Sequence, residues 1–189
     1  MTLWHPIVRA VDDKHVQIAA IHPYLAICLF ELPEILNRRD QPSAHDRMFP
    51  PLKRDDEKTN KEWHEMVGPD LRHLFVSAGE TVTRDLTGLR EDPLRAKHLQ
   101  VMFPAEHLSS WMSAINEARL ILGAVHQVTE DDMNDPSPDT NDPKTLAIVK
   151  IHVLGELMAH LVDFVDGHHA KPKRKRAPQP PRSDTPQTE

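Results

Sequence analysis

The chain has one cysteine, one tyrosine and six glycines among its 189 residues. A lone thiol cannot close an internal disulfide, and Cys28 sits among Ala26, Ile27, Leu29 and Phe30, which marks it as a small packing hydrophobe. So few glycines disfavour a turn-rich β architecture. No run of about 18 apolar residues is present, and the N-terminus lacks a charged stretch followed by an apolar one. The expectation is a soluble, cytoplasmic chain with no membrane partner. Gly-x-Ser-x-Gly, a cysteine placed near a histidine, and a glycine-rich phosphate loop are also missing. No catalytic residue and no cofactor is therefore assigned.

What is present favours helices. The expected fold class is all-α: a single bundle-like domain over residues 1–166, followed by a disordered, basic, proline-rich tail over 167–189. Residues 7–21 alternate weakly around Asp12-Asp13-Lys14 and allow a short N-terminal β-hairpin as the one non-helical element. Pro23 opens a first helix and Pro33 kinks or restarts it. Met48, Phe49 and Leu52 are poor choices for a solvated loop and should pin the 40–54 connection to the core. A helix pair or one bent helix follows from Asp55-Asp56-Glu57, interrupted at Gly68-Pro69, with Leu71, Leu74, Phe75, Ala78, Val82 and Leu86 at helical spacing. A short segment over 94–102 leads to Pro104, read as the first residue of the principal helix, 104–128. Residues 129–143 read as an acidic solvated loop, and a last apolar helix spans 143–166.

The principal helix carries the most informative stretch, Trp111-Met112-Ser113-Ala114-Ile115-Asn116-Glu117-Ala118-Arg119-Leu120-Ile121-Leu122-Gly123. Strongly polar residues inside an apolar helix need partners, because a buried charge stripped of its partner costs on the order of 3–5 kcal/mol. Asn116, Glu117 and Arg119 are accordingly grouped with Glu156 of the last helix as a structural polar cluster, in which Glu156 pairs with Arg119.

His152, Glu156 and His160 stand at i, i+4 and i+8 and share one helix face. Two histidines and a carboxylate are legitimate ligands for zinc or iron. His152 and His160, however, are ~12 Å apart along the axis and cannot share one ion. One histidine with Glu156 would need ligands from other helices, so no metal is assigned.

The tail has a different electrostatic sign. Residues 167–189 carry a net charge of +4 and residues 1–166 carry −10. Lys171, Lys173, Arg174, Lys175 and Arg176 can neutralise phosphates without reading bases, which implies weak, non-specific nucleic-acid contact.

Trp111-x-x-x-Ile115-Asn116-Glu117-x-Arg119-Leu120-x-Leu122-Gly123, with Met48-Phe49-Pro50 upstream and Glu156 in an apolar last helix, resembles an uncharacterised family of small bacterial all-α proteins catalogued as a domain of unknown function. The likeness covers about residues 20–166. The family includes AosR-like oxidative-stress transcription regulators, whose switching is attributed to a cysteine pair, whereas this chain has Cys28 alone. The resemblance implies a regulatory role, and with Cys28 alone an internal thiol switch is not expected to be its means here. With no catalytic motif, the expectation is a non-enzymatic intracellular regulatory or adaptor-like protein with a protein partner, linked to transcription or stress response. The alternative is a metal-dependent or carboxylate/His enzyme.

Overall fold

A computed structural model describes residues 5–53, 55–134 and 142–169. Among these, six helices pack with a small antiparallel sheet, so the fold is mostly helical but not all-α. The expected hairpin is present as β1 (Ile7–Ala10) and β2 (His15–Ile21). Two further strands, β3 (Arg90–Glu91) and β4 (Leu99–Pro104), complete the order β1-β2-β4-β3. Pro104 therefore ends a strand instead of opening a helix. A 3-10 turn over Ala105–His107 separates it from α4 (Leu108–Val125), the principal helix. The missed strand has a physical cause. The alternation in Leu99-Gln100-Val101-Met102-Phe103 is too short to declare itself without the neighbouring β2.

One face of the sheet buries Val16, Ile18, Val101 and Phe103. The opposite face carries a polar relay across all four strands. Arg9 Nε donates to Gln17 Oε1, Gln17 Nε2 donates to Gln100 Oε1, and Gln100 Nε2 donates to the Glu91 carbonyl. The β2–β4 register breaks between Ile18 and Ile21, where Ala20 adopts φ 56°. That left-handed backbone is unfavourable for a residue with a Cβ. Asp92 supports it by accepting from the Ala20 amide at 3.0 Å and the Leu94 amide at 2.9 Å. These amide bonds hold the Asp92 carboxyl below the usual range.

The helices are α1 (Pro23–Leu36), α2 (Pro42–Met48), α3 (Glu57–Leu86), α4, α5 (Glu130–Met133) and α6 (Pro143–His169). Neither internal proline breaks its helix. Pro33 lies within α1 and Pro69 within the 30-residue α3, so the second helical region is one helix. Met48 and Phe49 are buried as expected, while Leu52 is exposed. Part of the expected solvated loop is instead α5, closed by a capping box between Thr129 and Asp132. The last helix continues to His169, beyond the expected boundary at 166. The basic residues Lys171, Lys173, Arg174, Lys175 and Arg176, and the expected disorder there, lie outside the described residues.

α4 is the hub of the fold, packed against α1, α2, α3 and α6. By length and composition, α6 is apolar enough over Pro143–Gly167 to cross a membrane. Its Leu154, Leu157 and Leu161 are fully buried, which places that stripe of the helix in the core.

Candidate functional site

The helical period of α4 turns Ala114, Ala118 and Ile121 inward, and Glu117 lies on the same buried face. Its side chain has no solvent exposure. The cation beside it is Arg39, from the 3-10 turn Asn37–Asp40 that follows α1, with Nε 2.8 Å from Glu117 Oε1. Neither carboxylate oxygen receives a well-directed hydrogen bond. Gly79 of α3 makes room for the guanidinium, since a Cβ there would lie 3.1 Å from Arg39 Nη2 and 3.2 Å from Leu36 Cδ1. Desolvation pushes the Glu117 carboxyl up to about 7, against the opposing pull of Arg39.

The other members of the expected polar cluster go elsewhere. Asn116 is exposed and Arg119 half-buried, and both line a cleft of about 390 Å³ with Arg47 and Glu130. The expected Arg119–Glu156 pair does not form. Arg119 Nε donates to the Ile151 carbonyl at 3.3 Å, and its guanidinium lies over Gly155, within about 3.5 Å of where a Cβ would stand. The next residue on α6 is rotated by about 100°, which carries Glu156 off that face.

Glu156 instead meets two histidines. Its Oε1 lies 3.1 Å from Nδ1 of His5 and 3.5 Å from Nε2 of His160, and those two nitrogens are 3.3 Å apart. Glu156 and His160 are joined by the i, i+4 spacing, whereas His5 reaches them because β1 packs against α6. His152, exposed one turn before Glu156, is not part of this triangle.

Sequence reasoning also missed Asp85 of α3. This nearly buried carboxylate accepts from Trp111 Nε1 at 2.9 Å and contacts His107 Nδ1 at 3.0 Å. It thereby joins α3 to the start of α4, where Trp111 stacks on Phe103 with centroids 4.7 Å apart. A buried tryptophan needs an acceptor for its indole N–H, and that was the available signal. Cys28 is buried, and desolvation raises its thiol to about 11, outside the range of a reactive thiolate at neutral pH.

The outer surface shows a contrasting feature. Tyr24, Ile27 and Phe30 project from α1 with 57%, 48% and 66% exposure. Leu146 and Val149 of α6 are also exposed, and a Lys150–Glu31 ion pair ties the two helices together beside them.

A family model described as Domain of unknown function (DUF2017) matches residues 9–165. No curated protein and no solved structure matches the chain.

Proposed function

We propose that this chain, which belongs to the DUF2017 family of unknown function, acts without chemistry as an intracellular regulatory or adaptor-like protein that engages a protein partner. The observation that carries this reading is the apolar outer face of α1 and α6. Tyr24, Ile27, Phe30, Leu146 and Val149 are large side chains exposed on two helices held in fixed relation by Lys150 and Glu31. Single exposed apolar residues are ordinary, but several on adjoining helices suit an interaction surface.

The regulatory half of the reading follows the resemblance to AosR-like regulators and a link to transcription or stress response. An internal thiol switch is not part of it, because Cys28 is alone and buried. Lys171, Lys173, Arg174, Lys175 and Arg176 add weak, non-specific contact with nucleic acid in this reading. Its signature is a salt slope of about −0.9 per phosphate contacted on duplex DNA.

The test places a photo-activatable cross-linker at position 30 of the full chain and compares it with one on the exposed surface of α3. Partner adducts formed from α1, and abolished by Ile27→Asp in a protein with an unchanged circular dichroism spectrum, are the expected result. Equal labelling from both positions, or adducts indifferent to Ile27→Asp, would refute this surface as the docking face.

A further inference from the structure

We propose that His5, Glu156 and His160 form a binding site for a divalent metal ion of the zinc class. Its foundation is in the sequence: residues four apart on a helix project side by side, so Glu156 and His160 of α6 present two donor atoms to one point. The third donor comes from outside the helix. His5 stands two residues before β1, and the packing of β1 on α6 brings its ring to the same place.

The distances carry the assignment. His5 Nδ1, Glu156 Oε1 and His160 Nε2 form a closed triangle with edges of 3.1, 3.5 and 3.3 Å. An ion with ligands at about 2.0–2.1 Å in tetrahedral arrangement holds its donor atoms about 3.3–3.4 Å apart. The triangle therefore has the size of one face of such a coordination shell. The three contacts are also within reach of hydrogen bonds, one between the ring nitrogens and two to the carboxylate, and a single shared ion accounts for all three edges at once. Two imidazoles and one carboxylate are also a donor set that zinc accepts, with one position left open. His5 and Glu156 are about half exposed, at 49% and 46%, so water or a partner's side chain has access to that fourth position.

Such an ion would fasten the segment preceding β1 to α6. It does not include His152, which is two helical turns from His160 and therefore serves as an internal control on the same helix face.

The experiment uses the full chain, stripped with chelator and titrated with Zn²⁺ by calorimetry, and with Co²⁺ as a visible probe of coordination geometry. One equivalent of zinc per chain and an intense tetrahedral Co²⁺ spectrum are expected for the wild type and for His152→Ala. Both signals should be lost in His5→Ala, Glu156→Gln and His160→Ala, whose side chains are surface groups and whose circular dichroism should be unchanged. A zinc-dependent rise in melting temperature should follow the same pattern. The proposal is overturned if zinc fails to bind the wild type, if binding persists undiminished in the three ligand variants, or if His152→Ala abolishes it equally. These outcomes are independent of partner capture on α1.

Discussion

Glu117 and Glu156 are the same residue type on two helices that pack together, yet they occupy opposite physical situations. Glu117 is sealed between α4 and the turn after α1, with a single cation beside it and no solvent. Glu156 is half exposed and faces two histidines. In the first case desolvation dominates and lifts the carboxyl to about 7. In the second, water remains available and the neighbouring donor atoms define a coordination-sized triangle. The comparison shows that a carboxylate in an apolar helix becomes a structural element or a ligand according to the residue that reaches it from elsewhere in the chain.

The largest effect should come from breaking the interior pair. Arg39→Ala leaves Glu117 buried without its cation and is expected to destabilise by up to about 3–5 kcal/mol well above pH 7, where the carboxyl would otherwise be ionised, as measured by chemical denaturation. Below pH 6, where Glu117 accepts a proton more readily, the loss should shrink. A pH-independent loss would mean that Glu117 is not the group left behind.

The second way to sharpen the contrast is the pH profile itself. Because the folded Glu117 pKa lies above its ordinary value of 4.5, the folded state holds the proton more tightly between about 4.5 and 7. This group's contribution to stability is thus fully present at low pH and is lost as pH rises through that window. Glu117→Gln should flatten the profile there. The reading fails if that variant keeps the wild-type profile.

Smaller effects belong to the residues that failed to pair. Arg119→Ala removes one hydrogen bond from a cationic, half-buried donor to a backbone carbonyl and should cost about 1–2 kcal/mol. In metal-free protein, Glu156→Gln should cost less than about 1 kcal/mol, as for other exposed polar pairs. The double variant should be additive, since the two side chains have separate partners. A coupling clearly above experimental error would restore the Arg119–Glu156 pair.

Much of the helical framework was legible in the sequence, because α1, α3, α4 and α6 each repeat apolar residues at helical spacing. The β1–β2 hairpin was legible from its alternation around Asp12-Asp13-Lys14. Glu117 was marked as an anomaly by its place among Ala114, Ile115 and Ala118. Its partner was not, since Arg39 lies 78 positions away in a short polar turn whose location depends on how α1 meets α4. The same applies to His5. Local spacing pairs Glu156 with His160, but nothing local signals that a residue more than 150 positions earlier completes the group. Strand β4 was lost for a related reason, because its alternation gains meaning only beside β2. Periodicity reports which face of an element is buried, and it does not report what lies across from it.

The relay of Arg9, Gln17, Gln100 and Glu91 across the sheet has a consequence for how the strands find their alignment. Side chains alternate along a strand, so a slip of β2 by one residue against β4 would carry Gln17 onto the apolar face, expel Val16 and Ile18 from it and break the Gln17–Gln100 bond. The two amides thereby act as a key that fits one setting only. A four-stranded sheet whose outer strands are as short as four and two residues has few backbone bonds with which to reject a wrong setting. Here the rejection is written into two glutamine side chains.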